Sequence, residues 1–156
     1  MSTVGEVFQT CSIVSVTLFL KYFVTNLRWG FLKGKANMRA REDFNNNENA
    51  TSDDVERATA AGRIVQNDLE NIPFGLILMW GTALCILGAQ MSSTDASSMC
   101  TAHIVLSGLF TTARVCHTIV YMLHLALPRG AIFMIGTSSL FGLGILGIIA
   151  AFEISI

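Results

Sequence analysis

Two stretches of this chain are long enough to cross a bilayer and contain no charged residue. They run from Ile72 to Met91 and from Gly130 to Phe152, and about 20 apolar residues span the hydrocarbon core as a helix. Only 13% of the residues are charged, compared with about 25% in an ordinary soluble domain. These features indicate an integral membrane protein.

Two further apolar segments, each interrupted by a few polar residues, complete a pattern of four helices. We therefore expect an all-α integral membrane four-helix bundle that forms a single domain over residues 1–156. Its spans should cover residues 7–32, 63–90, 99–126 and 129–152, with a polar loop over residues 33–54.

Local signals support these helices. Thr51 lies three residues before Asp54, as in a capping box, so the second helix should begin near Asp53. Small residues let membrane helices approach closely. The fourth segment should therefore make close helix contacts at its glycines, which are Gly136, Gly142, Gly144 and Gly147.

The distribution of positive charge predicts the topology. The first loop and its flanks hold seven Lys and Arg residues, and the third loop holds Arg129. The N-terminal tail, the second loop and the C-terminal tail hold none. The positive-inside rule then places loops one and three in the cytosol.

Some kinds of ligand are disfavoured. The net charge is −1, and no basic stripe is interleaved with aromatics, so we expect no nucleic-acid partner. The four cysteines form no CxxC pair and have no metal-ligand spacing to histidine, so we expect no metal site.

Arg114 stands inside an apolar run, where a central arginine costs about 2.5–3.5 kcal/mol on insertion scales. Spacings of three, four and three residues place Arg114, His117, Tyr121 and His124 on one face of the third helix. We expect this face to line a polar cavity. The alternative is a structural ion pair or an anchor that sets the helix tilt.

A second polar face lies on the second helix, where Arg63, Asn67 and Glu70 share one side while Asp68 points elsewhere. With Arg114 and Arg129, these residues suit a small, multiply anionic ligand that carries an amine. Glutathione fits this description, as do other peptides and amino acids. The alternative is a salt-bridge network that locks the helices together.

Four motifs carry a resemblance to a known family. The chain resembles the membrane-associated eicosanoid and glutathione metabolism (MAPEG) superfamily, and within it the microsomal glutathione transferase 1 type. The similarity extends from about Arg28 to Phe152. The motifs are Glu56-Arg57, NDLENIPF at 67–74, ARVCHTIVY at 113–121 and LPRG at 127–130.

The resemblance implies a homotrimer with glutathione as co-substrate, bound between neighbouring subunits. It implies an endoplasmic reticulum membrane, with the outer mitochondrial membrane as an alternative. It assigns Arg129 to the sulfur as the catalytic residue and leaves the first-helix arginine open between Arg28 and Arg39. The remaining glutathione-binding residues that it implies are Asn67, Glu70, Arg114, His117 and Tyr121, and we add Arg63 because it shares the polar face of the second helix.

The activity implied is glutathione transfer to hydrophobic electrophiles within the membrane, together with reduction of lipid hydroperoxides. The alternatives are a glutathione-dependent isomerase of the prostaglandin E synthase type and a non-catalytic, lipid-binding scaffold of the same fold. Gly130 stands where the synthase type has serine, which favours the transferase. The arginines count against the scaffold.

Overall fold

The structure is a computed structural model that describes residues 2–40, 49–92 and 95–154. These residues form four α-helices and no strand, and each helix is long and apolar enough to cross a membrane. The predicted all-α class with four spans is therefore confirmed. The helices are α1 (Val4–Lys35), α2 (Ser52–Met91), α3 (Ser97–Met122) and α4 (Ala126–Phe152).

Both α1 and α2 begin with a capping box. The Thr3 hydroxyl accepts from the Glu6 amide at 3.3 Å, while the Glu6 carboxylate accepts from the Thr3 amide at 2.8 Å. Thr51 and Asp54 make the same reciprocal pair at 3.2 and 3.1 Å, which confirms the predicted start of the second helix. Each pair satisfies two backbone amides that the first helical turn leaves without a partner.

The turns that follow α1 and α3 each contain a residue in the left-handed conformation. Asn37 and His124 have φ values of 54° and 57°. After His124, the Leu125 amide donates to the Val120 carbonyl at 3.1 Å. This is the hydrogen bond of a Schellman motif that spans the larger number of residues. The motif stops α3 at Met122, four residues before the predicted end.

The end of α3 corrects the prediction for His124. The sequence spacing predicts His124 on the same helical face as Arg114, but the residue lies beyond the helix, exposed, in the turn. Glycine or asparagine usually occupies this position of the motif, so a histidine gave no stop signal. Helix α4 then begins at Ala126 and takes Pro128 into its first turn, where proline costs no hydrogen bond.

The described residues divide into two compact units. The first comprises the described residues within Met1–Leu18 and Ile72–Ile156 and holds parts of all four helices. Within it, the ring of the fully buried His103 donates from Nε2 to the Met79 carbonyl at 2.9 Å, and Cys11 Sγ lies 3.9 Å from the same nitrogen. This histidine links α3 to both α1 and α2.

Small residues allow close helix packing in the first unit. A Cβ at Gly147 would lie 2.8 Å from Thr82 Oγ1, and one at Gly142 would lie 3.0 Å from a Leu106 methyl carbon. A Cβ at Gly136 would lie 3.3 Å from the Ala113 Cβ. The predicted close contacts of α4 are confirmed at these three glycines.

The second unit comprises Phe19–Asn71 and is held by a buried ion pair. Lys21 of α1 donates to the carboxylate of Asp68 in α2, and their side chains are 10% and 2% exposed. The Thr25 hydroxyl donates to the other Asp68 oxygen at 3.4 Å. Asp68 therefore lies off the polar face of α2, as predicted, and joins the two helices.

Replacement of Gly75 tests the packing of the first unit. An added Cβ would overlap the ring of Phe110, which is 2% exposed. We expect Gly75→Ala to lower the free energy of unfolding by about 1–3 kcal/mol, the usual cost of overpacking. Gly81→Ala is the control, because nothing lies within 4 Å of a Cβ there. Thermal unfolding in detergent measures both, and equal midpoints for wild type and Gly75→Ala would contradict the contact.

A double-variant cycle tests the ion pair of the second unit. Lys21→Met leaves the Asp68 carboxylate buried without its cation, so we expect a loss of about 3–5 kcal/mol in unfolding free energy. Lys21→Met combined with Asp68→Leu removes both charges and should recover most of that loss. Denaturant titration in detergent measures the cycle. Additive losses would show that the two side chains are not coupled.

Candidate functional site

The three- and four-residue spacing of polar residues on α3 produces a row of side chains that differ in exposure. Arg114 is 1% exposed and His117 is 6% exposed, while Tyr121 is half-buried. The His117 and Tyr121 ring centroids lie 6.2 Å apart. These three side chains share one face, as predicted, and the face opens towards the C-terminal end of α3.

Arg129, in the first turn of α4, lies beside Tyr121 and extends this row of side chains. Its guanidinium carbon lies 5.0 Å from the centroid of the Tyr121 ring, within the range of a cation–π contact. Among the residues that the structure describes, Arg129 makes no hydrogen bond or ion pair, and its side chain is exposed. An exposed cation therefore stands beside a half-buried phenol.

Phe133 completes the group and was not predicted from the sequence. It is half-buried on α4, with its ring 5.6 Å from the Arg114 guanidinium carbon and 6.3 Å from the His117 ring. The sequence did hold a signal for it. Phe133 follows Arg129 by four residues, a spacing that places both on one face of a helix.

The predicted polar face of α2 lies in the second unit. Arg63 and Glu70 are exposed and Asn67 is half-buried. The Gln66 amide donates to the Glu70 carboxylate at 3.0 Å, and the Asn71 amide donates to the Asn67 carbonyl at 2.7 Å. Asp68 lies off this face and is paired with Lys21. The face therefore presents one cation, Arg63, and one carboxylate, Glu70, at the surface.

The two candidates for the first-helix arginine differ in their surroundings. Arg39 folds back so that Nη2 donates to the Gly30 carbonyl at 3.3 Å, and its guanidinium passes over Gly34. It lines a cavity of about 340 Å³, whereas Arg28 does not. The residues around this cavity are Asn26, Leu27, Trp29, Gly30, Phe31, Lys33 and Arg39.

Lys33 is a second cation at this cavity and was not among the predicted site residues. Its ammonium group lies 4.0 Å from the centroid of the Trp29 ring. The cavity therefore brings together a guanidinium, an ammonium and the amide of Asn26. Such a donor set suits a carboxylate or another small anion.

The two units thus offer different chemistry. The first presents two arginines, a histidine and a tyrosine in one row, with Arg114 buried and Arg129 exposed. Cations of this kind bind carboxylates and stabilise thiolates. The second presents the Arg63, Asn67 and Glu70 face and the cavity at Arg39, which suit a ligand with both acidic and amino groups.

Comparison with known proteins agrees with the motifs. The model of the MAPEG family matches residues 11–149, which include α2, α3, most of α1 and α4, and all the motifs described above. No curated protein and no solved structure matches the chain. The family includes membrane glutathione transferases and related enzymes. The chain is therefore a multi-pass membrane protein that belongs to the MAPEG family.

Proposed function

We propose that this protein is a membrane glutathione transferase of the microsomal glutathione transferase 1 type. The observation that carries the proposal is the row on α3 and α4, in which the buried Arg114 and the exposed Arg129 are joined through Phe133, His117 and Tyr121. A guanidinium inside a spanning helix is costly. A ligand carboxylate bound to the Arg114 guanidinium would compensate this charge.

The chemistry of both units matches parts of glutathione, which has two carboxylates, one ammonium group and one thiol. Arg114 and the pair Arg39 and Lys33 suit the carboxylates, and Glu70 suits the ammonium group. Arg63, Asn67, His117 and Tyr121 supply further donors. Of the two first-helix candidates we favour Arg39 over Arg28, because Arg39 lines the cavity.

Arg129 is the proposed catalytic residue. A free thiol titrates near 8.5, and a neighbouring cation lowers the pKa of the thiol by stabilising the thiolate. The thiol proton leaves to water, and the thiolate then attacks an electrophilic carbon of a substrate from the bilayer. A carbon–sulfur bond forms while the leaving group departs with its electron pair. The residues that bind glutathione supply proximity.

The same thiolate supports reduction of lipid hydroperoxides. Two glutathione thiols are oxidised to the disulfide, while the hydroperoxide is reduced to an alcohol and water. We further propose a homotrimer with glutathione between neighbouring subunits, in the endoplasmic reticulum membrane or the outer mitochondrial membrane. Loops one and three then face the cytosol, which supplies glutathione.

Calorimetric titration with glutathione tests the proposed function directly. The purified protein in detergent should bind glutathione and release measurable heat. Arg114→Ala should weaken binding by about tenfold or more, because a buried charge-assisted hydrogen bond contributes about 1.5–3 kcal/mol. Arg28→Ala serves as the control and should bind like wild type. Absence of binding by the wild-type protein would refute the transferase and the isomerase together and leave the scaffold.

A second prediction separates catalysis from binding at Arg129. Arg129→Leu should lower kcat towards an activated chloroarene by about tenfold or more near neutral pH, because the thiol pKa returns towards about 8.5. Its Kd for glutathione should change by less than about twofold, and Arg129→Lys should retain most of the activity. The pH profile of Arg129→Leu should rise to more alkaline pH than that of wild type.

Two outcomes would contradict this role. Equal losses in kcat and affinity, or no loss in either, would remove Arg129 from the sulfur. Turnover of a prostaglandin endoperoxide without turnover of the chloroarene would instead assign the chain to the isomerase.

A further inference from the structure

Arg114 lies against a specific surface of α4. Its guanidinium carbon is 5.6 Å from the centroid of the Phe133 ring. One helical turn further on, a Cβ at Gly136 would lie 3.7 Å from both Nε and Nη2 of Arg114. The aromatic ring and the bare backbone of the glycine therefore adjoin the same guanidinium group.

This arrangement restricts a side chain that is otherwise flexible. Arginine has several rotatable bonds, and ordering such a side chain costs conformational entropy. A ligand that had to order the guanidinium itself would bind more weakly by part of that cost. A guanidinium that already rests on a ring is closer to its binding conformation.

We propose that Phe133 is a positioning residue that holds the guanidinium of Arg114 in the orientation that receives a carboxylate of glutathione. The expected effect on glutathione binding rests on the proposed function, whereas the contact between Phe133 and Arg114 does not depend on it. Phe133 does not itself touch the reacting atoms in this assignment. It acts through Arg114, whose guanidinium also lies close to the backbone of Gly136.

The ring, rather than its volume, is the feature that matters here. A cation within about 6 Å of an aromatic centroid is attracted by the ring quadrupole, most strongly where water is excluded. Arg114 is 1% exposed, so this condition holds. Tyr121 stands in the same relation to Arg129 at 5.0 Å. Each arginine of the row therefore has an aromatic partner on the opposite helix.

The first arm of the test compares three variants by calorimetric titration with glutathione in detergent. Phe133→Leu keeps an apolar side chain but removes the ring, and we expect its Kd to rise by about tenfold, equivalent to about 1.4 kcal/mol. Phe133→Tyr keeps the ring and should bind within about twofold of wild type. Phe141→Leu is the matched control, because Phe141 lies on the same helix and is 71% exposed. Thermal midpoints identify any variant that fails to fold.

The second arm reads the position of Arg114 without glutathione. Phenylglyoxal modifies accessible guanidinium groups, and peptide mapping locates each adduct. Arg114 should be protected in the wild type and in Phe133→Tyr and should be labelled faster in Phe133→Leu, while the exposed Arg129 is labelled in all three. Unchanged labelling of Arg114 in Phe133→Leu would overturn the inference even if no variant bound glutathione. Failure of wild-type binding alone would count against the proposed function.

A double variant tests whether Phe133 acts through Arg114. In the Arg114→Ala background, Phe133→Leu should weaken glutathione binding by less than about twofold further, because the group that it positions is absent. Full additivity of the two losses would show that Phe133 acts elsewhere, for example through His117, and would overturn the inference. Equal losses in Phe133→Leu and Phe133→Tyr would do the same, because a ring is retained in only one of them.

Discussion

The cost of placing a charge inside a membrane span governs the arrangement of this protein. Two basic side chains, Lys21 and Arg114, are almost completely buried within long apolar helices. Lys21 is paired with the carboxylate of Asp68, an arrangement that needs nothing from outside the chain. Arg114 rests on the ring of Phe133 beside Gly136. A planar guanidinium donates to anions through its N–H edge rather than its face, so contact with an aromatic ring is compatible with the proposed role of Arg114 in binding a carboxylate.

Helix α2 shows how one helix can serve both purposes. Successive residues are about 100° apart around a helix axis, so Asp68 and Glu70 point in nearly opposite directions. Asp68 is buried in the ion pair, whereas Arg63 and Glu70 are exposed. Removing the inner pair should therefore affect unfolding, and removing the outer residues should affect ligand binding. The structural carboxylate of Asp68 and the proposed ligand-binding carboxylate of Glu70 are thus only two residues apart in the sequence.

Much of the fold could be predicted, because its strongest signals are local. The charge-free runs indicate the spans, Thr51 with Asp54 indicates a helix start, and the glycines of α4 indicate close packing. The end of α3 could not be predicted, since His124 adopts a left-handed conformation that its residue type does not signal. Phe133 and Lys33 were missed for another reason. An aromatic residue in an apolar helix and a lysine near a helix end are common, and only their contacts with Arg114 and the cavity distinguish them.

The difference in exposure along the row from Arg114 to Arg129 suits the two requirements of thiol transfer. Electrostatic attraction strengthens as water is excluded, so a buried arginine is the better anchor for a carboxylate. Ionisation of a thiol near neutral pH is favoured by a neighbouring cation, which lowers the thiol pKa, and requires a path for the proton to reach water. Arg129 is an exposed cation in contact with the ring of Tyr121. It can therefore lower the thiol pKa at a position that water can reach. Reversing the two positions would leave the proposed anchor screened by solvent and the thiol proton without an exit, so the proposed roles of Arg114 and Arg129 agree with their exposure.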